Sequence, residues 1–470
     1  MKAMLLTLLS QDHGALLVAL ALLLTTALGA WRLRHRGLRA ICALAAIGAL
    51  VLTVGAASQL WRSKGVAADY PPPGQLVDVG GYRMHVLAEG PQGGPTLVLL
   101  AGGHVDGLPV WRFHAALRDS MRSVLIDRPG TGWSDPGPFP RTTAREAQEV
   151  MAALEAAGES GPYIFAGHSF GGLLAANLAR RYPERTASLV LLDPTPLDVV
   201  FYGIDRKGLG GMKDMLLQQG LIRAFGFYRM PPPAPAPETD DAGTVDIAQP
   251  LALWRQLSTR PRSPLAGASI FEELSADSLI PRAFDTVVYD GELGDLPVYL
   301  VAPDEDPTTV PYAQQVADDD AEAARFAAFL KAARERYLAL SSNSHRIVAP
   351  AGTGHNFPDQ APDWLIDQLR RIAEDSAEDW RYRQLTTAWP GPYGGVPPVD
   401  LATPEDLSDA CRRALDTVRR SVRAITANPA PPSFANTVLA LEESRRPLER
   451  VQALLRIFTT TASNEQWRTL

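Results

Sequence analysis

The sequence predicts an α/β fold: a mainly parallel sheet with a helical cap, preceded by a helical hairpin and followed by a helical extension. Strand-like and helix-like runs alternate from about residue 76 to residue 194, which is typical of a parallel sheet with helices on both faces. This alternation stops near residue 197 and returns near residue 291, so an insertion interrupts the sheet. Two long apolar stretches come before the sheet.

The two apolar stretches, residues 14–30 and 40–60, predict a transmembrane hairpin. A helix needs about 20 apolar residues to cross the hydrocarbon core of a bilayer. Trp31 and Trp61 lie at the ends of the stretches, where interfacial aromatic residues concentrate. The connecting loop contains four arginines, so the positive-inside rule predicts a cytoplasmic loop and an extracytoplasmic sheet domain.

Two features leave alternatives to this membrane topology. The first apolar stretch also resembles the hydrophobic region of a cleaved signal peptide, with Lys2 as its charged start. Arg62 and Lys64, just after the second stretch, oppose the predicted orientation. The second stretch would anchor the chain in either case.

A serine between two glycines is the candidate catalytic nucleophile. Ser169 lies at the centre of the sequence GHSFG, after a strand-like run and before a helix-like one. A G-x-S-x-G motif at such a junction is the nucleophile elbow, a turn so sharp that glycine is favoured at Gly167 and Gly171. The alternative interpretation is a glycine-rich helix start.

A nucleophilic serine needs a base and an acid that orients the base, in the chain order Ser, acid, His for this elbow. His355 lies in a glycine-flanked loop between a strand-like and a helix-like run, so we predict it as the base. Three carboxylates are candidates for the acid. Asp304 and Asp306 follow the strand-like residues 296–302, and Asp193 ends the strand-like residues 189–192.

Catalysis by such a serine also needs hydrogen-bond donors for the oxyanion. A strand-like run at residues 96–100 continues into residues 101–104, which include two adjacent glycines. Glycines let backbone amides approach a substrate oxygen closely. We therefore predict the amides of Gly103 and Phe170 as the oxyanion hole, although residues 101–104 also suit an ordinary tight turn.

With these motifs, residues from about 74 to 375 resemble the α/β-hydrolase family of serine esterases, lipases and proline iminopeptidase-like peptidases. The similar stretches are residues 80–86, 127–135, 167–171, 189–194 and 354–355. The resemblance favours Asp306 as the acid, because the family's acid loop places its carboxylate just before a proline. The chain differs from the family at residues 101–104, which read Ala-Gly-Gly-His where many members have His-Gly, and at Pro303, where a glycine usually precedes the acid loop. Ser169 excludes the family members that use an aspartate nucleophile.

The predicted organisation has six parts. They are a transmembrane hairpin at 1–66, a first core segment at 67–196, a cap at 197–290, a second core segment at 291–375, a linker at 376–400 and a helical extension at 401–470. Apolar cap residues are predicted either to line a substrate pocket or to form the cap's own core: Met212, Met215, Leu216, Leu217, Leu221, Ile222, Phe225 and Phe227.

The helical extension begins with Thr403 as a predicted N-cap and Pro404 in the first turn. From residue 389 onward, and especially over residues 428–437, the chain resembles the N-terminal helical segment of the thimet-oligopeptidase and dipeptidyl-carboxypeptidase family. The zinc-binding His-Glu-x-x-His motif of that family is absent from the sequence. The resemblance therefore implies no peptidase activity.

Together these features predict a membrane-anchored serine hydrolase that cleaves a carboxylic ester, or an amide, of a lipophilic small molecule through an acyl-enzyme. One alternative is a proline iminopeptidase-like aminopeptidase, with Glu272 or Glu273 binding the substrate amine. Another is a non-catalytic, membrane-tethered binding protein. A net charge of −7, two distant cysteines and the lack of metal or nucleotide motifs predict a small-molecule substrate and a lipid bilayer as partners, with no cofactor, metal or nucleic acid.

Overall fold

The computed structural model describes residues 2–196, 209–274, 290–389, 395–399 and 402–461. The chain forms two compact units, Met1–Ala373 and Glu374–Leu470. The described helices are α1 (Lys2–Ser10), α2 (Gly14–Arg32), α3 (Arg36–Asp69), α4 (Trp111–Leu117), α5 (Thr143–Ala156), α6 (Phe170–Arg181), α7 (Leu209–Ala224), α8 (Pro250–Leu257), α9 (Arg262–Leu274), α10 (Thr309–Val316), α11 (Asp320–Glu335), α12 (Phe357–Gln360), α13 (Pro362–Thr386), α14 (Pro404–Ala427) and α15 (Ala440–Thr461). The described strands are β1 (Gln75–Asp78), β2 (Arg83–Glu89), β3 (Thr96–Leu100), β4 (Ser123–Ile126), β5 (Tyr163–His168), β6 (Thr186–Leu192), β7 (Glu238–Thr239), β8 (Val245–Asp246), β9 (Val298–Ala302) and β10 (Ser344–Val348).

The first unit is built on an eight-stranded sheet of order β1-β2-β4-β3-β5-β6-β9-β10. Strand β2 pairs antiparallel with β1 and β4, and the remaining neighbours pair in parallel. Every residue of β3, β4, β6 and β9 is buried, because helices cover both faces of a parallel sheet. The predicted mainly parallel sheet is confirmed. Since β5, β6 and β9 are neighbours, the residues that follow them lie at one edge of the sheet.

The two N-terminal apolar helices are long and apolar enough to cross a bilayer. Helix α2 has 19 residues with a mean hydropathy of 2.0 in its most apolar window, and α3 has 34 residues with a value of 2.4. Leu24, Trp31, Leu44 and Trp61 are 70%, 73%, 69% and 77% exposed, so large apolar side chains face outward. The short helix α1, which the sequence analysis did not predict, packs with α2, α3 and the cap around Leu9, Ala15, Ala19, Ala56, Ala224, Leu265 and Ala266.

The cap contains α7, α8, α9 and the two-stranded sheet of β7 and β8. Five of the eight apolar cap residues are exposed in the part of the cap that the structure describes, so they do not form its core: Met212, Met215, Leu221, Ile222 and Phe227. That they line a substrate pocket stays a prediction. Leu217 and Phe225 pack instead against the N-terminal helices. Residues 197–208 and 275–289 of the predicted cap lie outside the described residues.

The second unit contains the end of α13 with α14 and α15. Its core includes Leu385, Leu407, Ala410, Val451 and Leu454. Thr403 caps α14 as predicted, in a capping box with Asp406, and Pro404 occupies the first turn. The linker predicted from residue 376 is wrong in its first part, because α13 continues to Thr386.

Candidate active site

The predicted nucleophile lies at a strained turn between β5 and α6. Ser169 has φ 52° and ψ −120°, and its amide donates to the Leu192 carbonyl at 3.0 Å. A Cβ on Gly167 would lie 2.1 Å from the Gly171 carbonyl oxygen, and one on Gly171 would lie 2.2 Å from the Leu100 carbonyl oxygen. Both glycines are therefore required by close backbone approach. This is the geometry of a nucleophile elbow.

A histidine and an aspartate meet beside this turn. His355 lies in the loop between β10 and α12, and its Nδ1 donates to Oδ2 of Asp193 at 2.7 Å. Asp193 directly follows β6, with φ 42°, and is 5% exposed. Its second carboxylate oxygen accepts a hydrogen bond from Nη1 of Arg334 at 2.8 Å. Asp193 is therefore held from both sides, and Nε2 of His355 is left as the basic nitrogen.

The prediction that Asp306 orients His355 is wrong for this geometry. Oδ1 of Asp306 accepts from the amide and the hydroxyl of Thr308, at 2.8 and 2.7 Å, so its carboxylate closes a local turn before α10. Asp304 is also not the partner, since its side chain is 73% exposed and lies 3.5 Å from Arg346. Among the three candidate acids, Asp193 makes the contact with His355.

Comparison with known proteins identifies the same fold. The α/β-hydrolase-fold family model matches residues 95–232. Residues 95–232 therefore have the α/β-hydrolase fold. An uncharacterized Bacillus subtilis protein, YbdG, is 28% identical over 34% of this chain and 49% of its own length. The lipase LipV of Mycobacterium tuberculosis is 36% identical over 24% of this chain and 41% of its own length. The chain thus spans less than half the length of each of these curated relatives.

A solved esterase structure from Thermogutta terrifontis is similar over 64% of this chain and 97% of its own chain, at 17% identity and a TM-score of 0.40. Within the described residues, no group of three or more His, Cys, Asp or Glu side chains could hold a metal ion.

Electrostatics keeps the Asp193 carboxylate charged. Burial alone would raise the pKa of Asp193, but the hydrogen bond from His355 and the positive charge of Arg334 hold that pKa below its usual value. An ionised Asp193 keeps the proton of His355 on Nδ1. It also stabilises the imidazolium that forms when Nε2 accepts a proton.

His168, inside the elbow, positions the loop of His355. Its Nε2–H donates to the His355 carbonyl at 2.8 Å, and the two ring centroids lie 4.8 Å apart. Burial, together with the neighbouring His355, lowers the pKa of His168 to about 4. A neutral His168 therefore donates this bond at neutral pH. In the sequence, the only signal for this role is the position of His168 next to Ser169.

The two predicted oxyanion donors lie around one buried arginine. Gly103 follows β3 with φ 56°, and Phe170 begins α6. Nη2 of Arg128 donates to the carbonyls of Gly103 at 2.7 Å and Val105 at 3.0 Å. Its Cζ lies 5.1 Å from the centroid of the Phe170 ring. Arg128 therefore connects the loop after β3 to the start of α6, a role that the sequence did not reveal.

Proposed function

We propose that the protein is a membrane-anchored serine hydrolase that cleaves a carboxylic ester of a lipophilic small molecule through an acyl-enzyme. The observation that carries this proposal is the 2.7 Å contact of His355 with Asp193 beside the elbow of Ser169. Nucleophile, base and acid follow β5, β10 and β6, so a rigid sheet positions all three. This arrangement supports acyl transfer better than simple ligand binding.

In the proposed mechanism, Nε2 of His355 accepts the Ser169 hydroxyl proton while the serine oxygen attacks the ester carbonyl. Asp193 stabilises the resulting imidazolium, and the amides of Gly103 and Phe170 stabilise the oxyanion. His355 then protonates the leaving alcohol, which leaves an acyl group on Ser169. A water molecule, deprotonated by His355, releases the acid and restores the serine.

Membrane anchoring is supported by the outward-facing apolar side chains of α2 and α3. The start of α2 and the later part of α3 pack against the cap, whereas the arginine-containing loop joins the opposite ends of these helices. The loop and the catalytic unit would then lie on opposite sides of a bilayer. With the loop in the cytoplasm, the catalytic unit is extracytoplasmic.

The contacts of the two cap glutamates favour the ester hydrolase over the aminopeptidase alternative. Glu272 forms an ion pair with Lys2 at 2.7 Å. Oε2 of Glu273 accepts from the Thr143 amide at 2.7 Å, and the residue is fully buried. Both carboxylates thus have intramolecular contacts that compete with recognition of a substrate amine.

The test is labelling with a fluorophosphonate, which reacts with activated serines, in membranes washed with alkaline carbonate to remove peripheral proteins. We expect an adduct on Ser169 by peptide mass spectrometry and hydrolysis of p-nitrophenyl acyl esters. Ser169→Ala should lose both, while the control Ser342→Ala, at an exposed serine, should retain both. Full ester hydrolysis by Ser169→Ala would refute the catalytic part of the proposal. Release of the protein by carbonate would refute the membrane anchor.

A further inference from the structure

A pocket with three arginines lies in the cap, between helix α8 and the C-terminal end of α7 with the segment that follows it. Its volume is about 630 Å³, and its lining includes Arg223, Tyr228, Arg229, Trp254 and Arg255. Arg229 and Arg255 are exposed, whereas Arg223 is half-buried. No acidic residue is among the described residues that line it.

The positive charge of this pocket is not compensated within the described residues. Among the described residues, no carboxylate lies within ion-pair distance of any of its three guanidinium groups. Arg223 donates to the Ser258 carbonyl, a neutral acceptor, and burial lowers the pKa of Arg223. A bound anion would offset that desolvation. Arginine suits phosphate oxygens, because its planar guanidinium can donate two parallel hydrogen bonds.

The pocket wall packs along the C-terminal half of α3. The hydroxyl of Tyr228 donates to Oε1 of Gln59 at 3.0 Å, and Nη1 of Arg62 donates to the Tyr228 carbonyl at 3.3 Å. Trp61, between them, is 77% exposed. Exposed tryptophan at the end of an apolar stretch is typical of the membrane interface. The pocket therefore lies at the level of the lipid headgroups if α3 crosses a bilayer.

Exposed apolar side chains neighbour the pocket residues in sequence. Leu221 and Ile222 precede Arg223 and are 38% and 39% exposed, Phe227 precedes Tyr228 and is 53% exposed, and Leu251 on α8 is 56% exposed. Apolar side chains next to arginines are characteristic of protein surfaces that enter the boundary between acyl chains and headgroups. This explains why these cap residues are not buried in the cap.

We propose that the pocket binds the phosphate headgroup of an anionic membrane phospholipid and thereby holds the cap against the bilayer. The proposal rests on the membrane anchoring in the proposed function. It assigns the lipid to a site formed by Arg223, Arg229 and Arg255, separate from Ser169 and His355. The acyl chains of this lipid would lie against the exposed apolar side chains beside the pocket.

The test is native mass spectrometry of the full-length protein in a neutral detergent, with phosphatidylglycerol and phosphatidylcholine of the same acyl chains. We expect preferential binding of phosphatidylglycerol. The variant Arg229→Gln/Arg255→Gln should weaken that binding about 25-fold, or about fivefold for each arginine removed. The matched control Arg325→Gln/Arg371→Gln removes the same charge at exposed sites outside the pocket and should bind as the wild type does.

Equal binding of the two lipids, or undiminished binding by the pocket variant, would overturn the proposal. Displacement of phosphatidylglycerol by an equal concentration of inorganic phosphate would also overturn it, since the site would then select a soluble anion. Ser169→Ala should still bind phosphatidylglycerol. A wild-type protein that binds this lipid but hydrolyses no ester would refute the proposed reaction and leave the headgroup site intact.

Discussion

Replacement of Asp193 by asparagine tests the assigned acid directly. The carboxylate accepts from Nδ1 of His355 at 2.7 Å and from Arg334 at 2.8 Å. Arg334, only 7% exposed, would orient the amide oxygen of asparagine toward itself, so the amide NH₂ would face His355. This favours the tautomer with the proton on Nε2, which cannot accept the Ser169 proton. We expect kcat to fall about 10⁴-fold, which corresponds to about 5 kcal/mol in the activation free energy.

The assay is the steady-state hydrolysis of a p-nitrophenyl ester, with Asp306→Asn as the matched control. Asp306 bonds only with Thr308 among the described residues, so its variant should retain kcat within about threefold, since a local turn bond contributes only about 1 kcal/mol. Circular dichroism should accompany both measurements, because Arg334 loses a buried counter-ion in Asp193→Asn. A folded Asp193→Asn with near wild-type kcat, or a 10³-fold loss in Asp306→Asn, would contradict the reasoning.

The remaining predictions concern Gly102 and His168. A Cβ on Gly102 would lie 2.9 Å from Nδ1 of His168 and 3.3 Å from Cβ of Ser169. Because this contact would displace the nucleophile, Gly102→Ala should lower kcat about tenfold or more. The control Gly211→Ala should retain kcat, since a Cβ there has no atom within 4 Å. The pKa of His168 is about 4 in the folded state, below the value of about 6.5 in an unfolded chain. Between about pH 6.5 and about pH 4 the unfolded state therefore binds more protons than the folded state. The free energy of unfolding consequently falls as the pH falls through this range. Denaturant unfolding at pH 7 and pH 4.5 should show about 2 to 3 kcal/mol more loss in the wild type than in His168→Gln, and equal losses would contradict the pKa assignment.

The fold could be predicted because its signals are local. Each of these signals depends on residues close together in the chain: the alternation of strands and helices, the two glycines of the elbow, and the helix capping box at Thr403. The cap was less predictable, because the burial of its apolar residues depends on what covers them. Methionine and phenylalanine are residue types common in protein cores, yet Met212 and Phe227 are exposed. Sequence gives apolarity, but the location of an apolar face depends on the N-terminal helices packed against the cap.

The acid of the site could not be chosen from sequence for a related reason. Asp193 and Asp306 both follow strands whose ends lie at the same edge of the sheet. The choice depends on Arg334, which is 141 residues beyond Asp193 and donates to its carboxylate. It also depends on Thr308, whose amide and hydroxyl donate to the Asp306 carboxylate and hold it in a local turn. The resemblance to the family's acid loop favours Asp306, because a sequence motif gives the position of a residue but not the hydrogen bonds that compete for its side chain.

A buried charged cluster connects the loop of the proposed oxyanion hole to α5. Glu146 accepts from Nε2 of His104 at 2.7 Å and lies 3.9 Å from Nη1 of Arg128. Burial opposes its ionisation, yet His104 and the two nearby arginines, Arg128 and Arg141, lower the pKa of Glu146 to about 2. The charged Glu146 therefore attracts Arg128 across 3.9 Å without a hydrogen bond, and Arg128 donates to the carbonyl of Gly103. Because removal of one partner from a buried charged group costs about 3–5 kcal/mol, the geometry of the oxyanion loop and the stability of the fold depend on the same contacts.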